Sequence, residues 1–132
     1  MDGYNIVKGC GMSIDINTAF ELSITRANRW HGGDRADWSA LDWAGAMCGE
    51  AGEAANAVKK LKRLEDHLAT HNESGRHYTD LVQAHEAICK EVADTILYGL
   101  LLMARVGCPD PSEVIRDVFN QKSEEYGFPE RL

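Results

Sequence analysis

Residues 43–61 read WAGAMCGEAGEAANAVKKL, and this stretch decides the fold. Its apolar positions Trp43, Met47, Ala54, Ala57, Val58 and Leu61 recur at helical spacing and mark one face of an α-helix. Glu50 and Glu53 stand three residues apart and are predicted to share that face. A carboxylate turned toward apolar surroundings is costly unless something compensates it. Residues 90–101, KEVADTILYGLL, repeat the device with Glu91 and Asp94. Two such pairs facing each other predict a cup of four carboxylates, the donor set of a hard divalent cation. Such a cup leaves positions open, which suits a metal–nucleotide better than a bare ion.

Outward from this stretch the chain reads as helices. Helix 1 is predicted from Asn17, as N-cap, to Trp30, with Ile16, Phe20, Ile24 and Ala27 on one face. HGGDRAD, residues 31–37, breaks it. Helix 2 begins near Ser39, with Asp42 completing an imperfect capping box, and runs to about Leu68. Its interior Gly45, Gly49 and Gly52 each cost about 1 kcal/mol against alanine, so close approach of a helix or ligand is expected there. Residues 69–79 are polar and predict a loop. Helix 3 spans Asp80 to Val106, and its TILYGLLLMA half is apolar on nearly all sides, predicting the central and most buried helix. Asp110-Pro111 starts helix 4, and Gly127 stops it after Tyr126. With no strand pattern and no repeat, the reading is an all-α four-helix bundle over residues 15–132, behind a flexible arm at 1–14.

Composition narrows the function classes. A chain of 132 residues, 44 % hydrophobic, predicts one domain with a real core. No run approaches the 18 apolar residues of a membrane span, and the N-terminus lacks a basic region followed by an apolar one. A cytoplasmic protein with no membrane partner is expected. A net charge of −7 argues against nucleic acid as a partner. Cys10, Cys48, Cys89 and Cys108 form no CxxC pair or zinc spacing; Cys48 and Cys89 are expected to be buried, reduced thiols.

Di-iron chemistry wants Glu-x-x-His, and no histidine here has a glutamate three residues before it. No GxxxxGK[ST] loop is present, so phosphate binding falls to metal and side chains. The bland alternative leaves the acids solvated, or paired with Lys59, Lys60, Lys62 or Arg63. Lys60, Lys122 and Arg131 are candidate phosphate ligands, with Asn120 beside the last two. Trp30, His31 and Tyr98 are candidates for stacking on a base. Tyr98 lies four after Asp94 and so shares the acidic face.

GEAGEAANAVKK, followed by KEVADTILYGLL and the ending FNQKSEEYGFPERL, resembles the MazG-like all-α nucleoside triphosphate pyrophosphohydrolases, in particular phage-type MazG-like proteins. The resemblance runs from about Phe20 to Leu132 and rests on paired ExxE and ExxD motifs in order. The stretch between Glu53 and Glu91 is longer than in compact members of that family. The resemblance implies magnesium dependence, with manganese as a substitute, and metal-ligand roles for Glu50, Glu53, Glu91 and Asp94. It implies cleavage of a (deoxy)nucleoside triphosphate to monophosphate and pyrophosphate, in nucleotide pool cleaning or remodelling, with Glu53 or Glu50 as base. It places a base-contacting aromatic at Trp30 and implies a homodimer or homotetramer. The all-round apolar helix 3 independently predicts at least a dimer. Competing readings are a pyrophosphohydrolase of another metabolite, of phosphoribosyl-ATP or (p)ppGpp type, and a non-catalytic helical interaction protein.

Overall fold

The computed structural model describes residues 13–30, 37–71 and 78–132. Among them are four helices and no strand: α1 (Ile16–Arg29), α2 (Ala40–His71), α3 (Tyr78–Arg105) and α4 (Pro111–Tyr126). The all-α reading therefore holds for the described residues. Most of the predicted arm, and the break at 31–36 with His31, lie outside them. No helix among them is long and apolar enough to cross a membrane.

Local chemistry sets the helix ends. Asp15, not Asn17, caps α1: its Oδ2 accepts from the Thr18 backbone N–H at 2.9 Å and the Thr18 hydroxyl at 3.0 Å. Asn17 instead joins α1 to α4. Its amide donates to Asp110 Oδ1 (3.1 Å) and Ser112 Oγ (3.2 Å), and its Oδ1 accepts from the Ser112 N–H (3.2 Å). At α2 the expected box is closed from both sides. Asp42 Oδ2 accepts from the Ser39 N–H at 2.8 Å, and Ser39 Oγ accepts from the Asp42 N–H at 3.2 Å. Asp110 caps α4 through the Glu113 N–H at 3.1 Å, Pro111 follows, and Gly127 ends the helix at φ 69°. Beyond the start of α1, two boundaries differ from expectation by two residues or more. α2 continues three residues past Leu68, and α3 begins at Tyr78, so the polar 69–79 stretch is largely helical at both its edges.

α2 and α3 pack along most of their length. On α2 the residues withdrawn from solvent include Ala40, Trp43, Met47, Glu50, Ala54, Ala57, Leu61, Leu64 and Leu68. On α3 they include Leu81, Ala84, Ile88, Glu91, Thr95, Tyr98 and Leu102. Both runs alternate steps of three and four, the repeat of a knobs-into-holes seam. Trp43, 4 % exposed, anchors one end, with its ring centroid 4.5 Å from Trp38 and 6.1 Å from Tyr98. α1 packs on α3, and α4 chiefly on α1.

The described residues do not form a closed four-helix bundle: α3 is the central and most buried helix, as expected, but it is incompletely covered. Leu100 is buried, but Val92 and Ile96 are 44 % and 52 % exposed, because α1 and α2 are the chief neighbours of α3 among the described residues. The buried-thiol expectation also fails. Cys48 and Cys89 are exposed, since each follows a seam residue (Met47, Ile88) and is turned about 100° away from the contact. The α2 glycines face open space: a Cβ at Gly45, Gly49 or Gly52 would meet nothing within 4 Å. No neighbour within the described chain explains them.

Candidate functional site

The seam explains which acids meet. After Met47 its next step is three, to Glu50, and the following step is four, to Ala54. Glu50 is thus on the contact line, and Glu53 is one position short of it and exposed. On α3 the seam runs through Glu91, and Asp94 stands beside it, half-buried. Glu50, Glu91 and Asp94 each offer a carboxylate oxygen, and these oxygens lie within 4.8 Å of one another. The expected cup of four carboxylates is therefore three in the described structure.

The electrostatics of the triad are those of crowded like charges. Burial, and then the Asp94 and Glu91 carboxylates, push the Glu50 carboxyl above its ordinary value. Lys90 opposes this. Its ammonium lies 2.8 Å from Asp94 Oδ2 and 3.2 Å from Glu91 Oε1, and both contacts raise its own pKa. The compensating cation is therefore Lys90, and not one of the cations of 59–63. The signal was in the sequence: Lys90 precedes Asp94 by four and adjoins Glu91.

The triad fits a divalent cation by donor chemistry. Three half-buried carboxylates supply only hard oxygen ligands, and their mutual repulsion is relieved by positive charge. Three ligands also leave coordination positions for water and phosphate oxygens.

Beside the triad lies a pocket of about 160 Å³. Ser23, Arg26, Ala27 and Trp30 line it from α1, a stripe at i, i+3, i+4 and i+7. Asp94, Leu97, Tyr98 and Leu101 line it from α3 with the same spacing. No family model, curated protein or solved structure matches this chain. The site therefore rests on its own geometry.

The remaining candidates fall in two groups. Trp30, 45 % exposed at the C-terminal end of α1, and Tyr98 come together in the pocket wall. Lys60 is exposed on α2 ten residues beyond Glu50, about 15 Å along the helix. The tail residues fold onto their own helix. Asn120 holds the terminal residue, its Oδ1 accepting from the Leu132 N–H at 2.9 Å. Lys122 pairs with Glu125 at 2.8 Å. Arg131 donates to the Phe128 and Glu130 carbonyls, each at 2.7 Å. Within one protomer the structure does not bring Asn120, Lys122 or Arg131 to the triad. Ser23 and Arg26 were not singled out from the sequence. Only their position opposite Asp94 and Tyr98 distinguishes them from an ordinary helix surface.

Proposed function

We propose that this chain is a magnesium-dependent pyrophosphohydrolase of (deoxy)nucleoside triphosphates, of MazG-like type. One observation carries the reading: Asp94 belongs both to the carboxylate triad and to the wall of the aromatic pocket. A ligand with a flat ring in that pocket would lay its polyphosphate against the triad. Nucleoside triphosphates combine those two parts.

In this reading Glu50, Glu91 and Asp94 hold the cation. Bound magnesium supplies charge neutralisation and orientation of the triphosphate. Glu53, exposed and without an ion pair or side-chain hydrogen bond among the described residues, is the fourth ligand that the resemblance implies. Tyr98 and Trp30 form the aromatic side of the base pocket. With a cation on Asp94 and Glu91, the Lys90 ammonium that now pairs with them would be available to a phosphate. Water gives a proton to Glu53 or Glu50 and adds to the α-phosphorus, the bond from that phosphorus to the α–β bridging oxygen breaks, and pyrophosphate leaves.

A homodimer or homotetramer is part of the proposal. α4 carries Val118 at 57 % and Phe119 at 41 % exposure, and α3 carries Val92 and Ile96 uncovered. The glycine face of α2 is open to close approach. A monomeric mass by light scattering at micromolar concentration would remove this part. The same exposed apolar faces favour the second reading, a non-catalytic helical interaction protein.

A product assay decides between them. Purified protein with magnesium and a panel of nucleoside triphosphates is expected to release monophosphate and pyrophosphate. In Glu91→Gln the rate is expected to fall beyond the roughly 10- to 100-fold typical of losing a ligand's supporting partner. A folded protein that neither turns over the panel nor binds magnesium would sink the enzyme reading.

A further inference from the structure

The pocket between α1 and α3 has one wall that packing does not account for. Ser23 is 4 % exposed and lines the cavity. Thr25 returns its hydroxyl to the Glu21 carbonyl (3.0 Å) and Thr95 to that of Glu91 (2.9 Å), whereas the two buried serines, Ser23 and Ser123, return none among the described residues, and of these only Ser23 lines the cavity. Ser23 makes no side-chain hydrogen bond among the described residues. A buried hydroxyl without a partner is costly, and a ligand entering the cavity would remove that cost.

Arg26 stands one turn further along the same stripe. Asp94 lines the opposite side, but its Oδ2 is engaged by Lys90 at 2.8 Å. Arg26 itself makes no ion pair or side-chain hydrogen bond among the described residues. A guanidinium offers only donors, in a planar fork that matches two adjacent acceptors.

We propose that Ser23 and Arg26 are the specificity-determining wall of this pocket, and that they select bases presenting two adjacent hydrogen-bond acceptors. Guanine and hypoxanthine do so at O6 and N7, and cytosine does so at O2 and N3. Adenine sets an amino donor beside N7, and uracil and thymine set N3–H between their carbonyls. This inference rests on the nucleotide reading of the site and names the substrate class within it.

The test separates the pocket from the chemistry. Metal-free protein is titrated with guanosine, cytidine, adenosine and uridine, and binding is followed by NMR shifts of the tryptophan indole N–H signals. Guanosine and cytidine are expected to bind roughly 5- to 100-fold more tightly than adenosine and uridine, the range a bidentate contact gives. Ser23→Ala and Arg26→Lys are each expected to narrow that gap while circular dichroism stays unchanged; the second keeps the charge and loses the fork. Equal binding of all four, no binding of any, or a gap that both variants leave intact would overturn the inference. A clear gap without pyrophosphate release upholds the pocket and removes the hydrolase reading. Pyrophosphate release with no base preference does the reverse.

Discussion

Two parts of this molecule carry charged and polar side chains that sequence marks as functional, and they are built differently. In the α2–α3 seam, Glu50 and Glu91 take positions that packing ordinarily gives to apolar side chains. Their charges crowd together, and Lys90 offsets them only from the exposed side. In α4 and its tail, Asn120, Lys122 and Arg131 each find a partner within a few residues or at the chain end, and nothing is crowded. Crowded charge in one place and satisfied polar groups in the other set the candidate site apart from the helix that supports it.

Breaking this comparison begins with the largest effect. Glu91→Gln is expected to abolish turnover and magnesium binding together, as measured by pyrophosphate release and calorimetry. Glu50→Gln comes next and tests the crowding. It should raise the melting temperature of the metal-free protein, because it removes a carboxylate that burial and two neighbours disfavour, while it weakens magnesium binding. A lower melting temperature without metal would show that the triad is a structural network and not a strained site.

The scaffold side is sharpened by acid. The Ser112 hydroxyl, then the Glu113 N–H and the Asn17 amide, hold Asp110 well below the ordinary 3.8, at about 2. Because the folded value is the lower one, its stabilisation is full above 3.8 and is lost as pH falls through about 2. Asp110→Asn is therefore expected to flatten the acid arm of a melting-temperature profile and to leave turnover per folded molecule unchanged. The smallest effect belongs to the tail. Lys122→Ala is expected to change stability by less than about 0.5 kcal/mol, as an ordinary surface substitution. If it cuts turnover tenfold instead, the tail of one protomer serves the site of another.

The helix count was legible because it is written locally. Asp110-Pro111 and Gly127 fixed α4 to the residue, and Ser39 with Asp42 fixed the start of α2. Asn17 misled because cap chemistry names a residue type. Asp15, two positions earlier, offers the same acceptor, and the Asn17 amide was drawn to α4. The acids were legible as pairs three apart, but not as a triad. Spacing of three holds on either side of a seam, and only the alternation with four tells which partner lies on it.

By itself, the sequence determined four helices, the start of α2, both ends of α4, and an acidic device on α2 and α3, since capping and periodicity act over one or two turns. Tertiary structure alone decided that Glu50 joins Glu91 and Asp94 while Glu53 stays outside. It decided that the tail closes on α4, and that Ser23 and Arg26 face Asp94 and Tyr98 across a cavity. Those outcomes depend on how helices far apart in sequence rotate and abut, and no local pattern encodes that.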